Sequence, residues 1–255
     1  MKFEQILSTT SAPVSVDFGN DHLYVAGATT VDSFVLHNHH AGWRDGTTSL
    51  ELVGGGIPPA GSTAQVGVLD RKQLLVTLKT DPIPGTVDVV ALNDDGAVAG
   101  SLDSVVSAPA GTLTPFGFAA YGDGTAVITL AHSSQDGLFR GAGFVTVIGA
   151  GQAAPCWMTR AGKYVFTANT GSRTISRLVG TGSNVFVDSL VAASVPSGAP
   201  SDIDTDGGVL GVIDHASGQS HLSLFTYDQF GELAPIGGVI NLGVPNANGV
   251  AIIGK

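Results

Sequence analysis

The stretch that decides the fold is "QAAPCWMTRAGKYVFTANTGSRTISRL", residues 152–178. It contains three short apolar or β-branched runs, separated first by a Gly-containing turn and then by a polar loop. Runs of this length and composition, bounded by turn residues, are typical of β-strands. The same order of elements recurs in four other stretches, which start at Ala12, Thr63, Thr114 and Ala199. The chain is therefore predicted to be all-β and built from repeats.

The repeats are regularly spaced along the chain. Taking Pro13, Ala64, Pro115, Pro155, Pro200 and Ala247 as equivalent points gives spacings of 51, 51, 40, 45 and 47 residues. A period of about 40–50 residues with four strands per repeat is the signature of a β-propeller blade. A jelly roll or a sandwich does not explain this fixed order of elements at a fixed period. We predict a single β-propeller domain over residues 1–255, with five full four-stranded blades.

The two ends of the chain predict two further strands. "KFEQILS", residues 2–8, is similar to an outermost strand, and "ANGVAIIGK", residues 247–255, to an innermost strand. Together they predict a partial composite blade without its two middle strands. Three alternatives stay open: a five-bladed ring with extra terminal strands, a thin sixth blade, or a fragment that a second chain completes.

Composition and charge limit which partners and which cellular compartment are expected for the chain. Hydrophobic residues make up 43% of the 255 residues, so a sizeable core is expected, and the formal net charge is −10. An acidic surface repels nucleic acid and anionic lipid. No uncharged apolar run reaches the roughly 20 residues that cross a bilayer, and the first residues lack the apolar core of a secretory signal. We expect a soluble, cytoplasmic protein that binds neither nucleic acid nor membrane.

Three stretches carry a family resemblance. Residues 151–178, "TLTPFGFAAYGDG" at 112–124 and "LSLFTYDQFGELAPIG" at 222–237 together resemble the propeller lactonase family, which includes 6-phosphogluconolactonases and fungal carboxymuconate cycloisomerases. The resemblance extends from about residue 11 to residue 255. It implies lactone hydrolysis, or the reverse ring closure, on a small carboxylated molecule. Members usually have seven blades, so it also implies that the equivalent of one or two N-terminal blades is lacking. No motif matches the family's catalytic His, Glu and Arg residues, so none is carried over.

Propeller geometry indicates where chemistry is expected. The loops that enter the innermost strands and the loops that join second and third strands converge on the mouth of the central channel. The candidates are Gln65, Asp202 and Asn248 from the entering loops, and Lys79, His132, Arg140, Asn169 and His215 from the second-to-third loops.

Each candidate has a predicted role. Imidazole suits acid–base catalysis near neutral pH, so His132 and His215 are the candidate general bases. Asp202 is predicted to orient one of them, and Arg140 to stabilise an anionic substrate or oxyanion. The predicted substrate-binding residues are Gln65, Lys79, Asn169 and Asn248.

Structural interpretations stand beside these roles. His215 is also placed to end a strand and cap a turn through Asp214, and His132 lies in a long irregular segment. A carboxylate such as Asp202 on an inner strand is commonly a solvated channel residue. Cys156 has only Arg160 as a nearby cation, so it is predicted to pack rather than to react.

Metal and cofactor chemistry find little support. The three histidines of "LHNHHAGW", residues 36–43, are predicted to form a solvated turn rather than a metal site. No HExxH, GxSxG, Walker A or Rossmann glycine pattern is present, so no metal or cofactor is expected.

Two functions remain for the chain. The first is a lactonase-like or cycloisomerase-like enzyme that acts on a small lactone or carboxylated substrate at the channel mouth. The second is a non-catalytic propeller that binds a partner or forms a homodimer through exposed strand edges. The enzyme is the preferred hypothesis, because the resemblance covers nearly the whole chain.

Overall fold

The all-β prediction is confirmed. The structure is a computed structural model that describes residues 5–37, 40–51, 63–79, 85–181 and 183–253. Over these ranges the chain forms 21 β-strands and a single short 3-10 turn, Ala131–Ser133, and no α-helix. In the same part of the chain no helix has the length and hydropathy that crossing a membrane requires.

The chain divides into two compact units. The first comprises Met1–Pro115 and Ala120–Gly124, and holds two blades. The strands of its first blade are β1 (Pro13–Gly19), β2 (His22–Gly27), β3 (Thr30–His37) and β4 (His40–Ser49). Those of its second blade are β5 (Thr63–Val68), β6 (Gln73–Leu78), β7 (Thr86–Leu92) and β8 (Val98–Ser107). In both, antiparallel neighbours follow chain order from the inner to the outer strand.

The second unit comprises Phe116–Ala119 and Thr125–Lys255. The third blade has β9 (Pro115–Ala120), β10 (Thr125–Leu130), β11 (Gln135–Arg140) and β12 (Gly143–Gly149). The fourth has β13 (Pro155–Ala161), β14 (Tyr164–Asn169), β15 (Thr174–Thr181) and β16 (Asn184–Ser194). The fifth has β17 (Ala199–Asp206), β18 (Val209–Ala216), β19 (Gln219–Tyr227), β20 (Leu233–Pro235) and β21 (Ile240–Asn241), and the last two both pair with β19.

The predicted repeat agrees with the observed strands. Pro13, Pro115 and Pro155 are the first residues of β1, β9 and β13, and Ala64 and Pro200 are the second residues of β5 and β17. Five four-stranded blades are therefore confirmed. The partial composite blade is not confirmed, because residues 5–12 and 242–253 form no strand and the remaining terminal residues lie outside the described ranges. That all 255 residues form one domain stays a prediction.

Each unit has a hydrophobic core between successive blades. In the first unit Tyr24 of β2 packs with Val66 and Val76 of the second blade, and its hydroxyl donates a hydrogen bond to the Gly96 carbonyl at 2.8 Å. In the second unit the cluster joins side chains of the fourth and fifth blades: Phe166, Ala168, Ile175, Ile203, Leu210 and Val212. A four-stranded sheet exposes two faces, so this stacking removes from water the apolar face that a lone blade would leave exposed.

Side-chain hydrogen bonds join one inner strand to the next. In the first unit the Val66 N–H donates to Oγ of Ser15 at 3.2 Å, and the Val68 N–H donates to the Asp17 carboxylate at 2.8 Å. Burial raises the pKa of Asp17, while the bond from Val68 opposes that rise. The two inner strands therefore lie side by side without sharing a backbone ladder.

The same arrangement recurs at the C-terminal end of the second unit. The Val250 N–H donates to Asp202 at 2.9 Å and the Ile252 N–H donates to Asp204 at 2.8 Å. Residues 250–252 thus lie along β17 as the inner strand of a following blade would, although they form no sheet of their own.

Gly117 of β9 lies at a close approach between the inner strands of the third and fourth blades. A Cβ atom at this position would lie 2.7 Å from the Trp157 Cα, and still closer to the Cys156 carbonyl oxygen. That oxygen accepts a hydrogen bond from the Thr129 hydroxyl at 2.6 Å. Beside it, the Phe116 and Trp157 rings meet edge to face with centroids 5.0 Å apart. Cys156 is half-buried within this contact.

Replacing Gly117 with alanine is therefore expected to destabilise the protein. The added methyl group meets backbone atoms that cannot move without separating the two blades, so we expect a loss of about 1–3 kcal/mol or more. Urea unfolding measures the change. The control is Gly143→Ala on β12, where nothing lies within 4 Å of the added Cβ, and where we expect a change within about 0.5 kcal/mol. Equal effects of the two substitutions would contradict the close approach.

A buried aspartate occupies the third strand of each of the first three blades. Asp32, Asp88 and Asp136 have exposed fractions of 1%, 0% and 1%. Asp32 accepts bonds from the backbone and hydroxyl of Thr10, and Asp88 accepts the Glu51 N–H at 2.8 Å. Oδ1 of Asp136 has no hydrogen-bond partner among the described residues. Burial raises the pKa of Asp88 to about 7, despite the bond from Glu51, and the pKa of Asp136 to about 7.

These raised pKa values predict that stability falls as the pH rises from about 4 to about 7. In that interval the unfolded carboxyl has already ionised while the folded one still holds its proton, so raising the pH favours unfolding. The unfolding free energy of the wild type should therefore decrease between pH 5 and pH 8. In Asp136→Asn this decrease should be smaller by on the order of 2 kcal/mol. The control is Asp94→Asn, because Asp94 is exposed and its Lys72 partner lowers its pKa. An unchanged pH dependence in Asp136→Asn would contradict the burial argument.

Candidate active site

A row of three hydrogen-bonded side chains crosses the fifth blade at the end where β17 begins. Oγ of Ser201 lies 2.8 Å from Nε2 of His215, and Nδ1 of His215 lies 3.0 Å from Oγ of Ser220. The three residues belong to β17, β18 and β19, so the antiparallel pairing of these strands brings them together. The pairing of β17 with β18 shifts by one residue between Pro200 and Asp202, and this irregularity places Ser201 beside His215.

The row has the geometry of a nucleophile and its base. When Nε2 of His215 accepts the Ser201 proton, Nδ1 carries a hydrogen and donates to Ser220. Ser220 is fully buried and accepts the Ala247 N–H at 2.9 Å, which fixes the position of its oxygen. Ser201 and His215 are half-buried. An activated hydroxyl within hydrogen-bond reach of a held imidazole is suited to acyl transfer.

Asp202 does not orient His215, which corrects the sequence prediction. Its hydrogen bonds come from the backbone N–H groups of Ile203 and Val250, at 2.8 and 2.9 Å. Burial raises the pKa of Asp202, and these backbone bonds oppose the rise. Because Asp202 and Asp204 alternate on β17, both carboxylates bind the segment that follows the fifth blade. The residue that orients His215 is Ser220.

That same segment brings Asn248 to the row. Ala247 is bonded to Ser220 and Val250 to Asp202, so Asn248 lies between two fixed points and is exposed. Its side-chain amide is a hydrogen-bond donor of the kind that binds a carbonyl oxygen.

The loop between β14 and β15 reaches the row from the fourth blade. The Thr170 hydroxyl donates to the Pro200 carbonyl at 2.6 Å, next to Ser201. Asn169 is fully buried and donates from Nδ2 to the hydroxyls of Thr174 and Ser176, so its amide supports the loop. Oδ1 of Asn169 has no hydrogen-bond partner in the described part of the chain.

Arg173 lies in the same loop and is exposed. Its backbone has a positive φ of 56° and is held by its N–H bond to the Asn169 carbonyl at 2.9 Å. Its guanidinium forms no ion pair with any residue that the structure describes. A cation without an ion-pair partner is available to an anionic ligand.

The other predicted site residues belong to other blades. His132 is exposed in the 3-10 turn between β10 and β11, so its predicted position in a second-to-third loop is confirmed. The position predicted for Arg140 is wrong: it ends β11 and pairs with Thr125, at the opposite end of the sheet from His132. The loop is shorter than predicted because "QDGLFR", residues 135–140, forms β11. Gln65, within β5, and Lys79, directly after β6, belong to the first unit.

The neighbouring Asp214 faces away from His215. Its carboxylate binds the Ser197 hydroxyl at 2.5 Å and Nδ1 of His221 at 3.1 Å, and its side chain is fully buried. Asp214 therefore anchors the entry to β17 rather than capping a turn with His215.

The histidine-rich turn gives no metal cluster in the part of the chain that the structure describes. His37 ends β3 and pairs with His40, which begins β4. His39, the third histidine of that stretch, lies outside the described residues.

Sequence reasoning missed Ser201, Ser220, Thr170 and Arg173. The signal for the first two was present, since "PSD", residues 200–202, lies at the start of an inner strand, and "HASGQS", residues 215–220, forms the turn between the second and third strands at the same end of the sheet. The strand register that brings Ser201 and Ser220 to His215 was not predictable from the pattern of residues.

Comparisons with known proteins identify the fold. No protein-family model matches the chain, and no curated protein matches it. Among solved structures, a candidate 6-phosphogluconolactonase from Bacteroides uniformis superposes with a TM-score of 0.68 at 16% identity, over 95% of this chain and 76% of that one. Another from Bacteroides fragilis gives 0.66 at 13% identity, over 91% and 71%.

A third structure, the periplasmic gluconolactonase of Pseudomonas aeruginosa, gives a TM-score of 0.54 at 14% identity, over 94% of this chain and 88% of that one. These superpositions establish a shared fold. At identities this low they do not establish a shared chemistry, which depends on the residues of the site. The chain is thus similar in structure to lactonase propellers, and its fold is a β-propeller.

Proposed function

We propose that the chain is a lactonase-like enzyme that opens the ring of a small carboxylated lactone at the fifth-blade row. The observation that carries the proposal is the 2.8 Å hydrogen bond between Ser201 and His215, with Ser220 on the opposite ring nitrogen. The structural similarity to lactonase propellers supports a lactone as the substrate.

The reaction follows from this geometry. His215 takes the proton of Ser201 as the hydroxyl attacks the lactone carbonyl, which forms a tetrahedral intermediate. The intermediate collapses by breaking the ring C–O bond, and His215 returns the proton to the alkoxide, which stays attached to the acyl chain. Water then attacks the acyl-serine with His215 again as base, and releases the hydroxy acid. Bond formation and proton transfer balance without a cofactor.

Two neighbouring groups complete the proposed site. The exposed amide of Asn248 donates to the developing oxyanion, where one such donor is typically worth on the order of 10²–10³ in kcat. Ser220 stabilises the imidazolium less than a carboxylate would, because a neutral hydroxyl offers a dipole in place of a charge. We therefore expect a slower enzyme than one with a Ser–His–Asp triad. A cycloisomerase-like ring closure differs in chemistry, because a carboxylate of the substrate adds to a carbon–carbon double bond of the same molecule without water and the neighbouring carbon takes up a proton, which His215 would donate.

The decisive experiment measures hydrolysis of a panel of carboxylated γ- and δ-lactones by three variants. Ser201→Ala and His215→Gln should each lower kcat/KM by about 100-fold or more, because each removes one half of the nucleophile–base pair. His132→Ala is the matched control, as another histidine from a second-to-third loop. Loss of activity in His132→Ala alone would indicate that the general base is His132 of the third blade. A wild-type protein that hydrolyses none of the lactones would contradict the proposed enzymatic function.

Arg173 is proposed to bind the carboxylate of the substrate. Arg173→Gln should raise KM for a carboxylated lactone about 10-fold and leave KM for an uncharged lactone unchanged, because the substitution removes one charge-assisted contact. Arg140→Gln is the control, since Arg140 lies at the far end of its sheet. If Arg140→Gln alone raised KM, the carboxylate would be bound by Arg140, as the sequence predicted, and not by Arg173.

A second candidate function, self-assembly without catalysis, is favoured by the first strand. Val14, Val16 and Phe18 alternate on one face of β1 and are 42%, 60% and 74% exposed. In the second blade the inner-strand residues that face the preceding blade, Ala64 and Val66, are each 1% exposed. An uncharged apolar row on an inner strand suits the same row of a second copy, related by a two-fold axis.

Sedimentation analysis tests the assembly hypothesis. If the row is a homodimer interface, the wild-type protein should be a dimer at micromolar concentration, and Phe18→Asp should be a folded monomer because it buries a charge in the contact. Val105→Asp is the control, since Val105 is 41% exposed on the outer strand β8. A wild-type monomer at all concentrations would exclude this alternative, and a dimer that hydrolyses no lactone would favour it over the enzyme.

A further inference from the structure

The outer strand of the fifth blade is interrupted. β20 pairs with Phe225, Thr226 and Tyr227 of β19, and β21 pairs with His221 and Leu222. Ser223 and Leu224 lie between these two ladders. Residues 236–239, Ile-Gly-Gly-Val, cross the gap, and the Ile236 N–H donates to the Leu224 carbonyl at 2.8 Å. The outer strand of the fourth blade, β16, is a single strand of 11 residues.

A cavity of about 360 Å³ opens at this interruption. One wall is the end of β16 with the residues after it, and the other is the broken outer strand with Ser223, Leu224 and Phe225 of β19. Its apolar lining includes Ala193, Phe225, Leu233, Ile236 and Val239, and no charged side chain is among the described residues that line it. Its volume falls in the range of small-molecule sites, which are mostly apolar with a few placed polar groups.

Ser223 is one of the polar residues that line the cavity. Its side chain is 7% exposed, and its Oγ is buried with no hydrogen-bond partner among the described residues. Buried hydroxyls in native proteins are nearly always hydrogen-bonded, so an unpaired one calls for an explanation. Leaving it unpaired is unfavourable, and a ligand atom that pairs with it would remove that cost.

We propose that this cavity is a second binding site, for a neutral molecule with a compact apolar body and one hydroxyl or carbonyl group. The apolar walls hold an aromatic ring or a branched aliphatic group, and Oγ of Ser223 pairs with the polar atom. The absence of a charged side chain from the described lining excludes a carboxylated ligand, which would lose its hydration without gaining a partner. The site therefore differs in ligand class from the fifth-blade row, and does not depend on the function proposed for that row.

Fluorine NMR with 4-fluorophenol and 4-fluorotoluene tests the proposal on the full chain. Small ligands of this size bind weakly, so we expect a dissociation constant on the order of 1 mM for 4-fluorophenol. The matched 4-fluorotoluene, which lacks the hydroxyl, should bind about 5- to 10-fold more weakly. Ser223→Ala should abolish that preference, while its urea midpoint stays equal to or above that of the wild type, because the substitution removes an unpaired hydroxyl.

A second variant tests the location. Gly238 lines the cavity, and a Cβ added there meets nothing within 4 Å, so Gly238→Leu should fold and fill the opening. Binding of both probes should then be lost while lactone hydrolysis is unchanged. Three results would overturn the proposal: no binding to the wild type, which would leave water as the partner of Ser223; a hydroxyl preference that survives Ser223→Ala; or binding that survives Gly238→Leu.

Discussion

The hydrogen bonds from one inner strand to the side chains of the preceding inner strand are the constraint on which the structure depends. A four-stranded sheet cannot bury both of its faces alone, so each blade packs against its neighbour. This packing requires that the inner strands of the two blades are aligned in one register along their length. Asp17 sets this register between the first two blades by accepting the Val68 N–H group, and Asp202 holds the segment that follows the fifth blade in the same way by accepting the Val250 N–H group. Apolar packing brings blades together without direction, whereas these bonds fix the register.

The candidate active site is a consequence of that constraint. The bonds that hold residues 250–252 against β17 also bring Ala247 to Ser220 and leave Asn248 exposed between them. Asp202 is occupied by this structural contact, so the imidazole of His215, the proposed base, is held by the Ser220 hydroxyl instead. Asp202 and Asp204 thus bind the neighbouring segment of the chain, and the proposed nucleophile, Ser201, lies where the pairing of β17 with β18 shifts.

The sequence predicts the blades well because the residues that begin and end each strand are recognisable from the local sequence. Proline and glycine positions recur with the repeat, and Pro13, Pro115 and Pro155 begin strands as expected. His132 and His215 follow from the same logic, since each comes at the end of a recognisable second strand. Arg140 was misplaced because "QDGLFR" is too polar at its start to be recognised as a strand. The Ser201–His215 contact depends on a one-residue shift between two strands, which residue pattern alone does not encode.

The most direct test of the central claim is to trap the acyl-enzyme. Incubation with a slowly hydrolysed activated ester, followed by peptide mass spectrometry, measures which residue becomes acylated. Our account predicts one acyl group on Ser201, and no such adduct in His215→Gln, because the hydroxyl is a weak nucleophile without its base. An adduct on another residue, or an equal yield on Ser201 in His215→Gln, would contradict the role of this pair.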